Sequence, residues 1–187
     1  MVRRHPDSVV RLVKEHINDP RQGCEVGVWK GLTSRHFLQE LPNLHLLMVD
    51  CYREFTVEEA PVTLGIDPPT QAETNKIMLL ALATTQEFRD RRTLIISDSL
   101  EASKCIRDEF LDFVFIDAFH TYEAVRFDIQ TWFPRVKTGG LVCGHDYGGW
   151  RGQRGATCGV NLAVDEFGKS RGYEIGIMPG RVWWLIK

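Results

Sequence analysis

Apolar positions recur along this chain in two rhythms. Val9, Val10, Val13 and Ile17 fall near the 3.6-residue spacing of one helix face, which predicts a helix from Pro6 to Ile17 with the proline in its tolerated first turn. Elsewhere short unbroken apolar runs appear, too short for helices and too continuous for half-exposed strands. Leu44 to Val49 and Leu111 to Ile116 are the clearest, and buried parallel strands fit them. Cys24 to Val28, Thr93 to Ile96 and Gly140 to Gly144, after a Gly139-Gly140 turn, add three more. Helices are expected between them over Leu32 to Leu41 (closed by Pro42), Gln71 to Arg89, Ala102 to Asp108 and Tyr122 to Phe133 (ended by Pro134). Such alternation predicts an α/β fold, doubly wound, with right-handed crossovers and helices on both faces of the sheet. The end of the chain differs. After a helix from Val160 to Gly168, the runs Tyr173 to Met178 and Val182 to Ile186 flank Pro179-Gly180, a connection so tight that the two must form an antiparallel hairpin. The expected sheet is therefore mostly parallel and seven-stranded.

Composition narrows the class. The 187 residues suit one domain, 1–187, with 43% hydrophobic and 26% charged positions typical of a globular chain. A net charge of −2 offers no basic excess for nucleic acid or an anionic membrane. The cluster Arg89, Arg91 and Arg92 is interleaved with Glu87 and Asp90, and reads as a solvated helix end. No run approaches the roughly 18 apolar residues of a membrane span, and the charged amino terminus does not resemble a signal peptide. Five cysteines without CxxC spacing point to buried thiols in a reducing cytoplasm rather than to disulfides or a zinc knuckle. Trp183 and Trp184, on one short strand, pack inside or face a partner, so a homo-oligomer stays open.

In an open α/β sheet ligands bind beyond the carboxyl ends of the strands, and the residues just past each strand of this chain are polar. The first strand runs into Glu25-Val26-Gly27-Val28-Trp29-Lys30-Gly31-Leu32-Thr33. Its glycines allow a tight turn and close backbone approach to a ligand, or serve the turn alone. The spacing is GxxxG, not the GxGxxG of a pyrophosphate site, and Glu25 suits a cationic ligand such as the ammonium of a methionine moiety. That disfavours a nicotinamide-dependent oxidoreductase. Asp50 ends the second strand about twenty residues on, where a carboxylate holds ribose hydroxyls or caps a helix. Asp98 and Ser99 come after the third strand, either to hold an adenine edge or to cap the next helix. Beyond the fourth and fifth strands stand Asp117, His120, His145 and Asp146. Asp117, His145 and Asp146 can converge on a divalent cation, while His120, three positions past Asp117, can act as a general base or merely cap its helix.

Together these segments resemble class I S-adenosylmethionine-dependent methyltransferases with a Rossmann-like fold. The glycine segment is similar to that of catechol-type O-methyltransferases. Phe113 to Tyr122, with Val136 to Gly140 and Gly144 to Tyr147, resembles a branch that includes macrolide-sugar and cephalosporin-pathway O-methyltransferases. The resemblance runs from about Gly23 to the terminal hairpin. It implies that Glu25, Gly27, Gly31 and Thr33 line the methionine end of the cofactor, with Asp50 on its ribose and Asp98 and Ser99 near its adenine. Asp117 and Asp146 match positions that bind Mg²⁺ in metal-dependent members. His145 stands where those members have an acid, Tyr147 where the catechol type has an asparagine, and His120 where it has a catalytic lysine. The implied reaction is methyl transfer to a hydroxyl of a small molecule. The amino-terminal lid helices of many members have no counterpart here, so Cys51 to Thr70, or Gly148 to Cys158 with Trp150, Arg151 and Arg154, is expected to cover the substrate. A cofactor-binding protein without catalysis is the alternative.

Overall fold

The computed structural model describes residues 5–56, 68–149 and 158–187. Seven strands form one sheet: β1 (Gln22–Val26), β2 (His45–Asp50), β3 (Arg92–Ile96), β4 (Leu111–Ile116), β5 (Val136–Gly144), β6 (Gly176–Met178) and β7 (Val182–Ile186). Their order is β3-β2-β1-β4-β5-β7-β6. The first five run parallel; β7 is antiparallel to both β5 and β6. This is the expected Rossmann-like arrangement with its terminal hairpin. Among the described residues are six α-helices, α1 (His5–His16) before the first strand and, between strands, α2 (Leu32–Glu40), α3 (Gln71–Thr84), α4 (Ser99–Lys104), α5 (Tyr122–Trp132) and α6 (Val160–Arg171).

Because side chains alternate across a strand, each buried strand feeds two cores. Val114 and Ile116 of β4 join Val125, Ile129 and Trp132 of α5 and Val164 and Phe167 of α6 on one face. Phe113 and Phe115 join Val9 and Val13 of α1, Phe37 of α2 and Ala81 of α3 on the other. The chain winds outward from β1 to β3 and then returns to β4 on the opposite side of β1. The topological switch point, where such folds bind ligands, therefore lies between the carboxyl ends of β1 and β4.

Several boundaries differ from expectation, each for a local reason. Helix α3 stops at Thr84 rather than Arg89, because the Thr85 hydroxyl turns back to the Ala81 carbonyl at 2.8 Å and a 3₁₀ segment takes over. The arginine cluster is not a solvated helix end. Arg91 donates to the carbonyls of Leu38, Leu41 and Leu44 at the close of α2, and Arg92 donates to those of Leu82 and Thr85 at the close of α3. Only Arg89 of the three is strongly exposed. Helix α4 begins at Ser99, since Asp98 accepts from the Glu101 amide as its N-cap. Gly139 and Gly140 lie inside β5, where the register against β4 shifts, and not in a turn before it. Strand β6 starts only at Gly176, since the left-handed Gly172 closes α6 and sends Tyr173 onto Phe133 instead of into the sheet. Most of Cys51 to Thr70 and of Gly148 to Cys158, with Trp150, Arg151 and Arg154, falls outside the described residues.

Candidate active site

The sheet ladder places the residue just past each parallel strand. The Gly27 amide donates to the Val49 carbonyl, Ser97 to Asp50, Asp117 to Val26 and His145 to Ile116, all at 2.8–3.1 Å. Polar side chains at these positions thus share one edge of the sheet. Gly27 (φ 93°) is required there, since a Cβ would lie 2.2 Å from the Asp117 carbonyl oxygen. Gly31 (φ 73°) forms the N-cap of α2 with no side-chain hydrogen bond capping it, a helix start of the kind that anionic groups favour.

Around this loop the acids have distinct surroundings. Glu25 is 2% exposed, its carboxyl bonded by the Ser34 hydroxyl from α2. Burial pushes its pKa well up, the Ser34 bond offsets part of this, and the charges of Asp117 and Asp50 push it further. Thr33 is buried on the first turn of α2. Asp50 grips the loop: its Oδ2 accepts from the amides of Val28 (3.0 Å) and Trp29 (2.9 Å), and its Oδ1 from Tyr52 (3.1 Å).

Two acids and two imidazoles meet beyond β4 and β5. His120 Nε2 lies 3.3 Å from Asp117 Oδ1 and 3.0 Å from Asp146 Oδ2. His145 Nδ1 faces the same carboxyls at 3.6 and 3.4 Å, and its Nε2 donates to the Gly180 carbonyl at 3.0 Å. Arg181, in the turn between β6 and β7, also pairs with Asp146. Burial pushes the Asp117 carboxyl up, but the two histidines outweigh it and hold it well below the usual range. Burial likewise opposes charge on His120, yet Asp117 and Asp146 raise its pKa to about 9. One donor atom each from Asp117, His120 and Asp146 lies within 4.8 Å of the others, a spacing that could hold a metal ion. Both imidazoles thus face the same two carboxyls, His120 at the shorter distances.

Of the remaining expected residues, Asp98 caps α4, and the Ser99 hydroxyl accepts from Trp132 Nε1 at 2.8 Å and bonds buried Asp128. Sequence reasoning missed four neighbours of the site: Ser34, Tyr52, Arg181 and Phe119. Phe119 packs edge-on against Phe55 at 4.9 Å, over which the Arg53 guanidinium stacks at 4.0 Å. Position after a strand could have pointed to Phe119 and Tyr52; nothing in the local sequence marks the other two.

A family model described as a methyltransferase domain matches residues 24–147, which spans the glycine loop, Asp50 and the acid–imidazole cluster. The chain belongs to that family. Solved structures similar to this methyltransferase share its fold at low identity. One from Staphylococcus aureus, described as a caffeoyl-CoA O-methyltransferase, is 18% identical with a TM-score of 0.67, over 100% of this chain and 85% of that one. One from Clostridium thermocellum, described as an rRNA methylase, is 13% identical with a TM-score of 0.69, over 100% and 99%. An O-methyltransferase from Bacillus cereus in complex with S-adenosylhomocysteine is 13% identical with a TM-score of 0.60, over 96% and 79%. No curated protein matches the sequence.

Proposed function

We propose that this methyltransferase transfers the methyl group of S-adenosylmethionine to a hydroxyl oxygen of a small molecule. The observation that carries the reading is the pairing, across the switch point, of an uncapped glycine loop beside a buried acid with a cluster of acids and imidazoles. The cofactor fits this edge: Gly27 and Gly31 let the loop pack closely on the Asp117 and Ala81 backbone and so fix its shape, and Glu25 has no cation partner among the described residues. A buried carboxylate of that kind gains most from an ammonium group. Thr33, on the first turn of α2, serves the methionine carboxylate. Asp50 accepts from the ribose hydroxyls, while Asp98 and Ser99 stand toward the adenine. When bound, the cofactor supplies an electrophilic methyl group on its sulfonium.

Opposite that methyl, the cluster orients the acceptor in line and manages its proton. His120 takes the hydroxyl proton, and Asp117 and Asp146 on either side stabilise the imidazolium that forms. His120 serves as a base only in its neutral form, so the rate rises with pH toward about 9. The donor set Asp117, His120 and Asp146 also fits a divalent cation, with His145 Nδ1 as a further nitrogen at its rim. With such an ion bound His120 would be a ligand and not the base, and the ion itself would acidify and fix the acceptor hydroxyl. Imidazole among the ligands favours Mn²⁺ or another transition ion over Mg²⁺. A metal-free reaction is the second reading, favoured by Arg181 and the two histidines, which already offset the carboxylate charge. The net charge of −2 favours a small acceptor over RNA.

Calorimetry of S-adenosylhomocysteine, with and without Mn²⁺ or Mg²⁺, tests this on wild type and Asp50→Ala. Micromolar binding that the variant loses supports the cofactor site. A folded wild type that does not bind overturns it.

A further inference from the structure

The glycine loop holds a backbone shape that its residues disfavour. Trp29 has φ 51° and Tyr52 has φ 42°, both in the left-handed region where a bulky side chain crowds its own backbone. Such residues persist only where their surroundings over-determine them. Here each helps to hold the other. The Tyr52 hydroxyl donates to the Trp29 carbonyl at 2.9 Å, the Tyr52 amide donates to Asp50, and the Tyr52 carbonyl accepts from Gln71 Nε2 at 3.0 Å. The Tyr52 side chain is 5% exposed and belongs to the core on the α1–α3 face of the sheet. The loop therefore has two grips, the Asp50 carboxylate on the amides of Val28 and Trp29, and the Tyr52 phenol on the carbonyl of Trp29.

A cofactor asks different things of these grips. A carboxylate has about four lone-pair sites, and three amides already use Asp50. Accepting both ribose hydroxyls means giving up one of these three amides, two of which belong to the glycine loop. The phenol faces no such competition, because its partner is backbone. Burial, with the nearby charges of Asp50 and Glu25, pushes the Tyr52 pKa up, so the group stays a donor throughout the physiological range.

We propose that Tyr52 is a positioning residue: through the Trp29 carbonyl it keeps the Val28–Gly31 loop in its binding shape while Asp50 gives up an amide to accept the ribose hydroxyls. The proposal rests on the reading of this edge as the S-adenosylmethionine site, and its test has one arm that needs no ligand. Tyr52→Phe keeps the ring in the core and removes only the donor. Hydrogen exchange at Val28 to Gly31 should quicken about tenfold while β1 is unchanged, and the Kd for S-adenosylhomocysteine should rise about five- to tenfold, the range expected for one net hydrogen bond. Trp29→Gly supplies the control that a merely structural role would not pass. Glycine takes the left-handed conformation without crowding, so in that background Tyr52→Phe should change the Kd less than twofold. Exchange and Kd both within twofold of wild type overturn the proposal, as does faster exchange with unchanged Kd. A wild type that does not bind S-adenosylhomocysteine removes the cofactor reading instead, and exchange alone then decides whether Tyr52 holds the loop.

Discussion

Asp128 sits on α5 with 5% of its surface exposed, bonded by the Ser99 hydroxyl that also receives the Trp132 indole N–H. Burial dominates there, and the Ser99 bond only partly offsets it, so the carboxyl is pushed up to about 6. Asp117 is buried as well, yet its two histidines carry its pKa the other way. The contrast shows that a neighbouring imidazole, not burial alone, decides whether a carboxylate persists inside this fold. Asp128 has a consequence for stability. A carboxyl whose folded pKa is raised binds its proton more tightly in the native state than in the unfolded chain. Its contribution is thus fully present below about pH 4 and is lost as pH rises through about 6. At neutral pH the cost of the buried charge is about 3 kcal/mol. Asp128→Asn should therefore raise the unfolding free energy by up to that amount at pH 7, with a gain that vanishes near pH 4. Urea unfolding at both pH values checks this, and a variant less stable than wild type at pH 7 would sink the assignment.

Helix α2 shows what an element needs beyond its own sequence. Its last carbonyls receive the Arg91 guanidinium, partly buried, from a segment fifty residues away. A cation at a helix carboxyl end satisfies orphan carbonyls and complements the macrodipole. Arg91→Ala should cost about 1–3 kcal/mol, within the range of charge-assisted bonds, whereas Arg89→Ala, at an exposed site, should change stability by less than about 0.5 kcal/mol. Equal effects in thermal unfolding would return Arg91 to the status of a solvated charge. The same pair marks how far elements were legible in sequence. Apolar runs such as Leu111 to Ile116 identified the buried strands, because burial on both faces leaves a continuous signature. The alternation with helices then gave the parallel sheet. Ends were less legible where a distant side chain sets them: Arg91 and Arg92 at α2 and α3, or the bulge that carries β5 through Gly139 and Gly140. For the candidate site, the rule that polar residues stand at or just past the strand ends brought Asp50, Asp117, His145 and Asp146 to one edge, with Glu25 near the end of β1. It could not say that His120 would stand between the two carboxyls, because that depends on the path of the loop into α5. Ser34 and Arg181 join the site by packing across elements, and packing leaves no local mark.

On the scale of the molecule, both halves of the candidate site depend on how closely β1 approaches β4. The glycine loop hangs from one strand and the acid–imidazole cluster begins on the other, and Gly27 is where their backbones meet. Its missing Cβ leaves the Asp117 carbonyl in van der Waals range of the β1 turn, and the nearest atoms are main chain that no rotamer change can clear. Gly27→Ala therefore must either move the loop or pry the strands apart, on top of the strain of a positive φ. A loss of about 3 kcal/mol is expected, together with weakened binding of S-adenosylhomocysteine and of Mn²⁺, because one displacement reaches both halves of the edge. Gly139→Ala is the proper comparison. It too has a positive φ, 79°, but its Cβ would meet nothing within 4 Å, so only the conformational cost of about 1 kcal/mol remains. Urea unfolding and calorimetry on the two variants separate the effects. If both alanines cost the same and leave ligand binding intact, close approach at the switch point is not what demands glycine. If Gly27→Ala costs more and affects both ligands, the strand junction itself is the element that assembles the site.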